Sequence, residues 1–218
     1  IKQWHFDNWG APTATAAGET RPWESDDVAM ADLCERLRQQ LPKVTGLHAC
    51  RPLDIRSYFS EGIQPLNPER YQGNFRALFP DTPQTLVKAA IDKAESDNAP
   101  LRPTVSFFSS PQAIANTPDN LLYGSAYLRQ VANNLKAQFE AFKPEQTLKK
   151  AGLPTVFEVE IPNALFSENA WHLFVLSMLE SWMEIPTGSI RGGWSFSLEA
   201  GLTPDRITSH WHPILTTP

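Results

Sequence analysis

His48 and Arg51, in the run Leu47-His48-Ala49-Cys50-Arg51-Pro52, are the residues of this 218-residue chain best placed to do chemistry. Leu47 to Cys50 reads as a short strand. Asp54 then caps a brief helix whose Ile55, Tyr58 and Phe59 share a face, and Gly62 is placed to end it. A histidine on the strand and an arginine at the helix entry put two hydrogen-bond donors at one sheet edge. Such a pair suits a ribose hydroxyl and a phosphate. The same spacing also suits a satisfied core histidine with Arg51 partnering Asp54, and spacing leaves both readings open.

Three further groups carry polar chemistry. Tyr123-Gly124-Ser125-Ala126-Tyr127 reads as the start of a long helix running to Phe142. The free amides of a helix N-terminus attract anions, Gly124 admits a ligand to them, and Tyr123 offers a ring for stacking. The alternative is that Ser125 only caps the helix and both tyrosines are core. His210 and His212, two apart on a strand, project to one face and with His48 would make a three-histidine metal site with an open position. No acidic residue is evident behind them, so a metal is not expected. Glu158 and Glu160 share a strand face, which either pairs two carboxylates for catalysis or marks a half-exposed strand.

The elements that must position these groups follow from periodicity. Residues 1–23, rich in Ala, Thr, Gly and Pro, form an N-terminal arm whose Trp4, Phe6, Trp9 and Trp23 are expected to pack on the body or on a partner. Residues 24–218 form a single domain. Ser25 caps a first helix with Met30, Leu33, Leu37 and Leu41 on one face, and Thr82-Pro83 opens another with Leu86, Val87, Ala90, Ile91 and Ala94. Tyr127, Leu128, Val131, Leu135 and Phe139 turn inward from the long helix. Ser167 caps a helix carrying Trp171, Phe174, Val175, Met178 and Leu179. Thr104–Phe108, Thr155–Ile161, Trp194–Leu198 and Ile207–Trp211 read as strands, the second with Thr155, Phe157, Val159 and Ile161 on one side. Regular βαβ spacing and a Gly-rich phosphate loop are both lacking, which argues against Rossmann and P-loop sites. The expected fold is α+β, a split, largely antiparallel sheet with flanking helices.

Composition sets bounds on the partners. The formal net charge is −5, which argues against coating duplex nucleic acid by phosphate neutralisation. A single local basic patch would still allow contact with nucleic acid. The two cysteines, Cys34 and Cys50, make no disulfide framework, and Cys34 reads as a small buried apolar residue; a reducing, cytoplasmic location is the simpler expectation. No apolar run approaches membrane-spanning length and no leader pattern is evident, so no membrane is expected.

Together, these segments resemble a family of uncharacterised bacterial proteins with an ADP-ribosyltransferase-like fold. The resemblance rests on Leu47–Pro52 with Asp54, Ile55, Tyr58 and Gly62-Ile63, and on Leu122–Ser125 with Tyr127-Leu128. It continues through Gly152–Thr155 with Val159 and Pro162, and through Ile207, His210 and His212-Pro213. It implies NAD as substrate, bound through His48, Arg51, Tyr58, Tyr123, Ser125 and His210, with His48 and Tyr123 beside the reacting centre. It also implies a macromolecular acceptor (RNA, DNA or protein), a role as a toxin or phage-defence effector, and an antitoxin or chaperone partner. One departure concerns the chemistry. The family pattern carries Glu where this chain has Ala126. A carboxylate there anchors a ribose hydroxyl and steadies an oxocarbenium-like centre, which alanine does not do. The chain is then either a natural pseudoenzyme or one whose glutamate has been replaced, and the retained flanking residues favour replacement. Two other readings remain: a metal-dependent hydrolase using His48, His210 and His212, and a non-catalytic protein that grips a partner with its aromatic arm.

Overall fold

Alternating apolar residues and capped amphipathic segments assemble into a five-stranded antiparallel sheet with helices on both faces and a separate helical layer. The computed structural model describes residues 27–98, 103–138, 143–183 and 194–215. The aromatic arm, the Ser25 cap and Phe139 lie outside them. The chain runs α1 (Asp27–Gln40), β1 (Lys43–Cys50), α2 (Arg56–Glu61), α3 (Pro68–Leu78), α4 (Gln84–Asn98) and β2 (Val105–Phe108). It continues through α5 (Pro111–Asn116), α6 (Asp119–Tyr123), α7 (Ala126–Gln138), α8 (Pro144–Lys150), β3 (Thr155–Pro162), α9 (Glu168–Met183), β4 (Ser195–Leu198) and β5 (Ile207–Trp211). No described helix is long and apolar enough to cross a membrane.

The strand order is β4-β2-β1-β3-β5, with every pairing antiparallel. The expected split is not found: all five strands belong to one sheet. The sheet nevertheless has a thin seam. β1 matches β3 along its whole length, from Lys43↔Pro162 to Cys50↔Thr155, but matches β2 only at Leu47↔Phe108. Since neighbouring strands share one pleat, residues paired across β1, β3 and β5 point to the same face. His48, Phe157 and His210 therefore form one row.

On the face bearing that row, Phe107, Phe157, Val159, Ile161 and Phe196 pack with Met30 from α1 and with Trp171, Phe174 and Val175 from α9. Phe107 and Phe157 are fully buried, each worth about 2–3 kcal/mol of transfer free energy. The opposite face packs Leu47, Ala49, Phe108 and Val156 against Ala113 and Ile114 of α5 and Leu121 of α6. A third core lies inside the helical layer, joining Phe75 and Phe79, Val87, Ala90 and Ile91, Tyr127, Val131 and Leu135, and Leu148.

Periodicity does not predict α3, α5 or α8, and the long helix is found in two pieces. α3 was not anticipated, although its signals are present: Asn67 accepts the Arg70 N–H, Pro68 opens the first turn, and Tyr71, Phe75 and Leu78 are helically spaced. The long helix expected from Tyr123 is broken. Gly124 takes φ +87°, a left-handed value, so Tyr123 ends α6 and α7 starts at Ala126. Gly62 is also left-handed, at φ +80°, and ends α2 as expected. Its Cα lies so close to the Leu202 carbonyl that a Cβ would stand 1.9 Å from the oxygen.

Candidate functional site

A cavity of about 1560 Å³ opens between the β1–α2 corner of the sheet and the helical layer. His48, Arg51 and Tyr58 line its sheet side. Gln72 of α3, Glu95 of α4, and Gly124, Ser125, Ala126 and Tyr127 at the α6–α7 junction line its helical side. The two polar motifs, far apart in sequence, meet here across the turn at Gly124, where the φ of +87° rather than a lack of space calls for glycine. A Cβ on it would lie 3.9 Å from that of Arg51.

His48 is held by the seam. Where β1 and β2 part, its Nδ1 donates to the Ser106 carbonyl at 3.0 Å. A carbonyl only accepts, so the proton sits on Nδ1 and Nε2 keeps a lone pair. The ring lies 6.1 Å from Tyr58 and 5.8 Å from Phe107. Burial lowers the His48 pKa, with the Ser106 bond opposing in part, so the imidazole is neutral near pH 7. A pH dependence follows. A folded-state pKa below the unfolded value of 6.5 means that the unfolded chain binds the proton first. His48 therefore contributes its full share of stability above pH 6.5, and that share is lost as pH falls below it. Replacing His48 by glutamine, which can still donate to Ser106, is expected to flatten the pH dependence of the urea midpoint just below that value. An unchanged slope would show that His48 is not the titrating group.

Tyr58 stacks on Phe157, with centroids 4.7 Å apart and planes 15° from parallel. Burial raises its pKa and pushes the Cys50 thiol up to about 12, so both groups stay protonated. Arg51 is anchored more firmly than expected. Its Nε donates to the Ala151 carbonyl at 2.6 Å, Nη1 to Leu121 at 2.9 Å and Nη2 to Lys149. All three guanidinium nitrogens thus hold backbone carbonyls of α6 and of the α8 end. Asp54 does not partner Arg51; it pairs with Arg56 and accepts that residue's backbone N–H.

At the junction, the Ser125 hydroxyl accepts the Leu128 N–H at 3.2 Å and caps α7. Ala126, the first residue of α7, is exposed on the cavity wall. Tyr123 is not part of that wall, because the Gly124 turn sets it on α6. Its ring packs on the helical core, with Lys149 Nζ 5.2 Å from its centroid.

His210 also lies outside the cavity lining. Its ring meets Phe59 edge-on at 5.2 Å and stands 6.0 Å from Phe157, which separates it from His48 in the sheet row. His212 turns to Thr155 Oγ1, at 3.1 Å, and to the Pro154 carbonyl. The three histidines do not converge. Among the described residues no group of three His, Cys, Asp or Glu side chains is placed to hold a metal ion. Glu158 and Glu160 point to the other sheet face, opposite Leu47 and Thr45, where Lys43 pairs with Glu160 at 2.5 Å.

No family model matches this chain, and neither a curated protein nor a solved structure is significantly similar to it.

The site also holds a group that the motifs did not single out. Gln72 Nε2 donates to Glu95 Oε1, and the Tyr127 hydroxyl donates to the same oxygen at 3.4 Å. Burial, reinforced by the Glu95 charge, pushes the Tyr127 pKa up to about 12, so the phenol stays a donor. A sequence signal existed. On α4, Asp92 and Asp97 have lysines four residues earlier, at 88 and 93, and pair with them, whereas Glu95 follows Ile91 at that spacing.

Proposed function

We propose that the chain is an NAD-dependent ADP-ribosyltransferase scaffold whose catalytic carboxylate position is occupied by Ala126. The observation that carries this reading is the placement of Ala126. It is exposed at the first turn of α7, on the wall of the cavity that His48 and Tyr58 also line. In the reaction, the bond from nicotinamide to ribose C1′ breaks and nicotinamide leaves with the bonding electrons. An acceptor oxygen or nitrogen then bonds to C1′ and gives up its proton. A carboxylate at 126 would face the positive centre between those events. His48 Nε2 is free to accept a ribose hydroxyl. Tyr58, stacked on the buried Phe157, offers an aromatic face to the cavity, and Arg51 fixes the frame behind it.

Ligand pockets usually measure about 300–1,000 Å³. The cavity, near 1560 Å³, leaves room for part of an acceptor beside the dinucleotide. The acceptor is a macromolecule, and a toxin or defence role in a reducing intracellular compartment accords with two free cysteines.

Calorimetric titration of the chain with NAD tests the reading. Saturable one-to-one binding is expected, weakened about tenfold in His48→Ala through loss of one ligand hydrogen bond. Absence of binding at millimolar NAD would sink it.

A further inference from the structure

We infer that the Gln72–Glu95–Tyr127 cluster is a recognition site for a ribose cis-diol, and that it makes the cavity select NAD over NADP. The inference rests on the NAD reading above and adds where the far end of the dinucleotide lies and which dinucleotide is taken.

The argument is one of hydrogen-bond valence. Gln72 directs an amide N–H to Glu95, and Tyr127 sends its only proton to the same carboxylate oxygen. The Tyr127 proton and one Gln72 N–H are thereby engaged on Glu95 Oε1. Two acceptors are left over, Glu95 Oε2 and Gln72 Oε1, neither with a bonded partner among the described residues. Both residues line the cavity, and Tyr127 is 5% exposed, so the cluster is braced from behind rather than floating in solvent. A wall that offers a carboxylate oxygen beside an amide oxygen selects a ligand with two adjacent donors and no negative charge.

A dinucleotide carries two such groups, the cis-diols of its riboses. The nicotinamide ribose belongs with His48 and Ala126, the groups placed for chemistry. Gln72 and Glu95 lie on the helical side, contributed by α3 and α4, and they take the adenosine ribose. A carboxylate accepting a 2′-hydroxyl is a known basis for NAD preference, since the 2′-phosphate of NADP would meet it charge to charge. A further negative side chain on the lining, Glu69, adds to the repulsion, while Glu61 is offset by its ion pair. The Arg70 guanidinium, held 2.7 Å from Glu61, is already paired.

The test compares NAD, NADP and adenosine-side 2′-deoxy-NAD by calorimetry on the unsubstituted chain and on Glu95→Gln. The glutamine retains an acceptor for the Tyr127 proton. The unsubstituted chain should bind NAD at least about tenfold more tightly than either analogue, the scale of one charge-assisted hydrogen bond. Glu95→Gln should bring NADP to within about threefold of NAD by removing the repulsion. Equal affinity of the unsubstituted chain for NAD and NADP would overturn the inference without any variant. So would a preference that survives in Glu95→Gln. NAD binding with no discrimination leaves the transferase reading standing and removes only this one, whereas no NAD binding removes both.

Discussion

Replacing Ala126 by glutamate is expected to raise nicotinamide release from NAD by about 10²–10³-fold, the usual worth of a group that stabilises a developing charge. The position is prepared for the change. Ala126 is the first residue of a 13-residue helix whose Tyr127, Leu128, Val131, Ala132 and Leu135 are buried, so its orientation is set by the core. Its own side chain is exposed to the cavity, so a longer one displaces nothing. The helix dipole favours a negative charge in the first turn by roughly 0.3–1 kcal/mol, which keeps the carboxylate in the form that opposes an oxocarbenium ion. Glutamine at 126 has the same length without the charge and should leave turnover at the background level. Chromatographic measurement of free nicotinamide separates the variants, and labelled NAD in cell extract would then reveal the acceptor. A glutamate variant that binds NAD yet neither releases nicotinamide nor labels any macromolecule would refute the transferase reading, and the interaction-protein reading would take its place.

Arg51→Ala is expected to destabilise the fold by about 3 kcal/mol, at the scale of losing charge-assisted hydrogen bonds and stranding their acceptors. One guanidinium holds Leu121 in α6, and Lys149 and Ala151 at the end of α8. The last carbonyls of a helix have no partners within it, and here a positive group supplies them at the favourable end of the dipole. The neighbouring backbone is equally tight. Gly152, at φ +66°, lies against Pro52, and a Cβ there would stand 2.3 Å from the Pro52 oxygen. Arg51→Lys should recover less than half of the loss, because an ammonium is a point donor and three separated carbonyls need a fork. The urea midpoint should fall in both variants at constant m. A full-strength midpoint accompanied by lost NAD binding would show instead that the ligand, and not the fold, depends on this side chain.

How much of this was legible in the sequence varies with the kind of interaction. β3 was readable because Thr155, Phe157, Val159 and Ile161 alternate with Glu158 and Glu160, a period that only a half-buried strand explains. The first helix and α9 were readable from their apolar stripes. Gly124 misled because glycine is tolerated inside helices and its residue type does not reveal the sign of φ. The consequence was local but real: Tyr123 left the cavity while Gly124, Ser125 and Ala126 kept their place in it. Arg51 was recognised as important for a different reason from the one the structure shows, since its carbonyl partners lie 70 to 100 positions away. Backbone acceptors carry no residue signature. His210 was separated from His48 by Phe157, a fact of register between three strands that no single strand contains.

The thin seam at β1 has a temporal consequence. The strand bearing His48 finds its one β2 partner about 60 residues along the chain and its long β3 ladder about 110 residues along. Contacts of such range close late, since the loop entropy must be overcome before any pairing compensates it. On the ribosome, β1 would wait while more than about a hundred further residues are made before its principal neighbour exists. The row that carries His48 is completed only when residues near 157 and then 210 emerge. Until then the sheet face on which His48 stands is incomplete in the growing chain, and His48 lacks the aromatic neighbour that β3 supplies to its row.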